Sequence, residues 1–160
     1  MARIRVIEEG EADGLLREVY AELTKSRGKL AEVHKIQSLH PQSIRDHMAL
    51  YTTTMFARSP LSRAEREMMA VVVSATNDCR YCVAHHREAL LHFWKDRARV
   101  DALSTDRAEL SGLSTRETVL CRYAQTVTER PDSDEAARLI DDLRAVGLDD
   151  RAILDATLVV

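Results

Sequence analysis

The sequence predicts an all-α, single-domain helical bundle. Apolar residues recur at spacings of three and four along most of the chain, and no alternating strand pattern stands out. Five Gly, three Pro and seven aromatic residues (one Trp, four Tyr, two Phe) in 160 positions are too few for a turn-rich β fold. Two capping boxes, Ser62-Arg63-Ala64-Glu65 and Ser114-Thr115-Arg116-Glu117, mark helix starts. One domain of this length can fill a sizeable core.

The elements follow in order. Leu15, Leu16, Val19, Tyr20 and Leu23 predict a helix over about 11–27, with Gly28 as its C-cap. A shorter helix over 30–39 stops before Pro41, which suits the first turn of the next. That next helix runs to about Ala57 with Ile44, Met48, Tyr51 and Met55 on one stripe, and Ser59-Pro60 breaks it. The helix behind the Ser62 capping box is apolar on every side from Met68 to Val73, so it should be central and buried. Asn77-Asp78 ends it, and another helix runs from near Cys79 to about Trp94. The Ser114 capping box opens a helix to about Thr128, closed by Glu129-Arg130-Pro131. Asp132 is the expected cap of a helix to about Val146, and Asp149 of the last segment. That segment reaches Leu158-Val159-Val160 in mid-pattern. This predicts either a chain that continues past Val160 or a last helix packed on a partner subunit, and with the apolar 68–73 segment it favours a homo-oligomer.

Composition narrows the function. Apolar residues make up 45% and charged residues 31%, which excludes a disordered chain. A net charge of −3 gives no electrostatic footprint for nucleic acid or anionic membrane. The longest apolar run, Met68 to Val73, is far too short for a membrane span, and no apolar stretch follows Arg3 and Arg5 as a signal peptide would require. The expectation is a cytoplasmic protein. The last thirty residues carry eight Asp/Glu against three Arg, read as a solvated helical face.

Three cysteines without a secretory signal argue against a structural disulfide framework. Two form Cys79-Arg80-Tyr81-Cys82; Cys121 stands alone among Val119, Leu120 and Tyr123 and reads as core. With Cys79 as zero on a helix, Cys82 falls at about 300° and His86 at about 340°, so two thiols and an imidazole share one face. His85 lies at the edge of that face and Tyr81 points away. Cysteines in a first helical turn feel the positive end of the helix and free N–H groups, both favouring thiolate, and an imidazole one turn on can accept or relay the proton. Glu67, on a stripe with Ala64, Ala70, Val71 and Ser74, needs a partner if buried. His86 would complete a Glu–His–Cys relay; Arg63 or Arg66 would make Glu67 an ordinary paired carboxylate. For the cysteine pair itself the spacing leaves inert core thiols, a zinc site completed by Glu67 or Cys121, and redox-active thiols open. Haem attachment is excluded because Val83 follows Cys82.

Glu67, the Cys79/Cys82 pair twelve residues on and His86 four beyond it resemble the alkylhydroperoxidase D branch of the carboxymuconolactone decarboxylase superfamily. The stretch from Glu65 to His86 looks like its peroxidase-related offshoot, and the motif core spans 62–92. The resemblance implies an all-helical, oligomeric fold and thiol-based reduction of organic hydroperoxides. It implies Cys82 as the peroxidatic cysteine, Cys79 as the resolving one, and Glu67 with His86 as proton relay, with no cofactor. The reductant would be a dithiol or, as in some members, a lipoylated protein; no residue here identifies it. One departure is Tyr81, where the best-known members carry an additional histidine. A non-catalytic redox switch and a decarboxylase or lactone-processing enzyme are the competing readings.

Overall fold

The computed structural model describes residues 2–105 and 112–160, and nine α-helices lie among them. The chain divides into two compact units, the first ending at Thr53 and the second running from Thr54 to Val160.

In the first unit a short 3-10 turn, Glu9–Glu11, leads into α1 (Gly14–Arg27), which ends on Gly28 in the left-handed conformation (φ 76°) that glycine adopts without strain. Leu16, Val19, Tyr20 and Leu23 form the buried stripe of α1 and pack with Ile44 of α3 (Pro41–Phe56). The Tyr20 hydroxyl donates to the Ile7 carbonyl, and the Ile7 N–H donates to Ser38 Oγ, which ties the N-terminal segment down. The helix expected over 30–39 shrinks to α2 (Glu32–Lys35). Beyond it the chain turns through i→i+3 bonds, Gln37 N–H to His34 O and Ser38 N–H to Lys35 O, which tighten the turn instead of extending the helix.

The second unit holds α4 (Arg63–Thr76), α5 (Arg80–Trp94), α6 (Arg97–Thr105), α7 (Thr115–Glu129), α8 (Asp134–Ala145) and α9 (Asp150–Val159). As the all-round apolar run requires, α4 is central, with α5, α6, α7 and α9 packed around it. Met68, Met69, Ala70, Val71 and Val72 are all buried, with Leu90, Leu120, Leu139 and Leu143 in the same core. Both capping boxes form: Ser62 and Ser114 each accept from the N–H three residues on, and Glu65 and Glu117 reach back to the cap N–H. Asp149 caps α9 as expected, but the cap of α8 is Ser133, whose hydroxyl accepts from the Ala136 N–H; the expected Asp132 lies one residue outside. Helix α6 was not expected from the pattern, because only Val100 and Leu103 along it are buried apolar residues. Among the described residues, no helix is long and apolar enough to cross a membrane.

Candidate active site

A three-residue turn, Asn77 to Cys79, between α4 and α5 sets the geometry of the site. The Cys79 N–H bonds the Ser74 carbonyl and the Asp78 N–H bonds the Ala75 carbonyl, the paired bonds of a Schellman stop. Asp78 takes the left-handed position (φ 51°) usually given to glycine, a place that Asp tolerates better than most residues. The next residue, Cys79, is already the N-cap of α5, and its sulfur accepts from the Cys82 N–H at 3.3 Å. Cys79 therefore sits outside the helix, with φ −85° and ψ 86°, so its helical angle does not apply. The cap geometry brings it to Cys82, and the two are joined in a disulfide with Cα atoms 5.3 Å apart. Both cysteines are half-buried.

So short a turn folds α5 back along α4 and brings Glu67 to His86. The Glu67 side chain is 1% exposed, and its Oε2 lies 2.7 Å from His86 Nδ1. Its other oxygen, Oε1, accepts from Arg63 Nε at 2.9 Å and from Arg63 Nη2. The two partners weighed for Glu67 are thus both present, one on each oxygen. Burial alone would raise the Glu67 carboxyl, but the hydrogen bonds from His86 and Arg63 outweigh it and hold the group below the usual carboxylate range. His86 is partly exposed, so its ring joins a buried carboxylate to accessible space. Cys82 is four residues, one helical turn, before it on α5.

Arg66, the other cation weighed for Glu67, is turned elsewhere. It is buried and donates to the Thr54 and Ala57 carbonyls at the end of α3. His85 turns outward: its Nδ1 lies 2.9 Å from the Tyr81 carbonyl and its ring rests on Tyr81 with centroids 4.3 Å apart. Cys121 is free and buried, and burial pushes its thiol up to about 12, which leaves it an inert core residue. Among the described residues, no three His, Cys, Asp or Glu side chains converge as a metal site requires.

The contribution that sequence reasoning undervalued is Arg63. Its guanidinium carbon lies 3.5 Å from the centroid of the Phe56 ring while its nitrogens hold Glu67. The i,i+4 spacing was visible, but that spacing ordinarily marks a solvated surface pair.

Solved structures share this architecture. An uncharacterized peroxidase-related protein from Silicibacter sp. TM1040 is 28% identical, with a TM-score of 0.78 over 99% of this chain and 85% of its own. A second peroxidase-related protein, an alkylhydroperoxidase AhpD core from Ralstonia eutropha JMP134, is 24% identical with a TM-score of 0.82, covering 98% and 82%. A debrominase in complex with 2,3,4-tribromopyrrole is 14% identical with a TM-score of 0.77, covering 99% and 82%. The fold is therefore the all-α alkylhydroperoxidase D type. No curated protein matches the sequence. The model of the carboxymuconolactone decarboxylase family matches residues 42–125, more than half of the sequence and all of the constellation around Cys79 and Cys82, and the chain belongs to that family.

Proposed function

We propose that this protein is a thiol peroxidase that reduces organic hydroperoxides through a dithiol–disulfide cycle of Cys79 and Cys82. The observation that carries the reading is the His86–Glu67 hydrogen bond, one helical turn from a half-buried cysteine whose neighbour is already in disulfide reach. The peroxidase-related neighbours support it.

In the reduced protein the Cys82 thiol gives its proton to His86, and the thiolate attacks the terminal oxygen of the hydroperoxide. The O–O bond breaks, an S–O bond forms, and the departing alkoxide takes the proton from His86 and leaves as the alcohol. Cys82 is then a sulfenic acid. The Cys79 thiol displaces its hydroxyl as water and closes the disulfide. One dithiol and one hydroperoxide become one disulfide, one alcohol and one water. A small dithiol or a lipoylated protein returns the pair to thiols by exchange.

Intact-mass measurement after one equivalent of cumene hydroperoxide tests the reading. The reduced protein should lose two hydrogens, localised to Cys79 and Cys82, and turn over in the presence of a dithiol. Oxidation without turnover would favour the redox-switch reading, and no change at either cysteine would remove the cycle.

A further inference from the structure

We infer that Arg63 is a positioning residue that keeps the Glu67–His86 pair in its proton-accepting form, with the proton on His86 Nδ1 and Nε2 left open. The inference rests on reading Glu67 and His86 as the relay.

The argument starts from the two oxygens of Glu67. Arginine has only donors and stays charged, so the two N–H groups on Oε1 bind a carboxylate oxygen that carries no proton. The cation beside Glu67 also disfavours a proton on Oε2, so Oε2 accepts from His86 Nδ1–H. Neutral imidazole carries one ring proton; with it on Nδ1, Nε2 is the base.

Charge balance leads to the same arrangement. With Arg63 present, an ionised Glu67 and a neutral His86 leave the buried group electrically balanced. Without Arg63, the buried carboxylate is unbalanced, and the pair relieves this by taking up a proton. Imidazole is the more basic of the two groups, so that proton goes to His86, whose Nε2 then carries hydrogen and cannot accept one.

Arg66 also feels the Glu67 charge, but of the described residues only Arg63 and His86 hydrogen-bond the carboxylate. Within the surrounding helices Arg87 of α5 pairs with Asp101 of α6, Arg116 of α7 with Glu65 of α4, Glu117 of α7 with Arg99 of α6, and Asp155 of α9 with Arg151. Arg66 is bound to backbone carbonyls, and His85 to the Tyr81 carbonyl. The Phe56 ring lies against the Arg63 guanidinium and helps hold the cation beside Glu67.

The test uses the reduced full chain with ¹⁵N-labelled histidine, in the native form and as Arg63→Met and Arg63→Lys, with thermal melts to confirm folding. Long-range ¹H–¹⁵N spectra at neutral pH should show His86 with a bare Nε2 in the native protein and a protonated Nε2 in Arg63→Met. Arg63→Lys keeps the charge and should largely restore the native pattern. In parallel, the acid limb of disulfide formation by cumene hydroperoxide should move to higher pH in Arg63→Met. An unchanged His86 pattern in Arg63→Met would overturn the inference, as would a variant slowed equally at all pH values. The spectra decide the role of Arg63 even if no hydroperoxide is consumed, so its failure and the failure of the peroxidase reading are separate results.

Discussion

At Cys79 and Cys82 two effects nominate different nucleophiles. The helix-terminal N–H of Cys82 points to the sulfur of Cys79, which favours thiolate there. His86 follows Cys82 by one turn and gives that thiol a proton acceptor. A helix terminus contributes about 0.3–1 kcal/mol, whereas acid–base assistance is worth about 10²–10⁴-fold in rate. The imidazole should therefore decide. With limiting hydroperoxide and a sulfenic-acid trap, Cys79→Ser should accumulate trapped sulfenate on Cys82, and Cys82→Ser should consume almost no peroxide. The opposite pattern would make the helix terminus the selector.

Glu67 gives a second prediction at the same scale. Its folded carboxyl lies below its ordinary value, so it stabilises the fold fully above the unfolded value of about 4.3, and that stabilisation is lost as pH falls through the folded value. Glu67→Gln should be less stable than the native protein at pH 7 by about 1–3 kcal/mol, because charge-assisted bonds become neutral ones. The difference should shrink as pH falls below about 4.3. Urea melts at both ends of that range measure it, and a constant gap would show that the carboxylate carries no linked stability.

At the scale of elements, α4 and α5 with their turn form one device. The Ser62 cap fixes where α4 begins and so places Arg63 as its first residue, four before Glu67. Ser62→Ala and Ser114→Ala should each cost about 1 kcal/mol in chemical denaturation. Only Ser62→Ala should slow disulfide formation, because α7 carries no residue of the site. Equal slowing in both would mean that general stability, not the first turn of α4, sets the rate.

Most of this was legible in the sequence because it rests on local chemistry. The capping boxes, the Gly28 stop and the Asp149 cap are written in adjacent residues and formed as expected. The facing of Glu67 and His86 was legible from helical spacing and a short turn. What failed depended on tertiary contacts or on a choice between similar residues. Helix α6 is held by packing more than by pattern, and Asp132 and Ser133 are both good caps, so one register was as readable as the next. Arg63 was undervalued because burial of its partner, which turns an ordinary pair into a site component, is not visible in spacing.

At the scale of the molecule, the core of the second unit is continuous, but α9 keeps an apolar stripe outside it. Ala152, Ile153 and Ala156 are buried, whereas Leu154 and Leu158, one turn apart, are 55% and 50% exposed. Single exposed leucines are normal, but two on one stripe of a helix are a contact-forming feature. We expect this stripe to be covered by a second copy of the chain. Burying the exposed half of each leucine contributes about 1.5–3 kcal/mol in all, below an association cost of about 4–15 kcal/mol. The interface must therefore recruit further surface, yet remain sensitive to this pair. Sedimentation velocity should give a mass above 18.1 kDa for the native chain, and Leu154→Glu with Leu158→Glu should shift it toward that single-chain value while leaving helical content unchanged. A native protein already at 18.1 kDa would show that α9 faces solvent, and an oligomer indifferent to the double substitution would place the interface elsewhere.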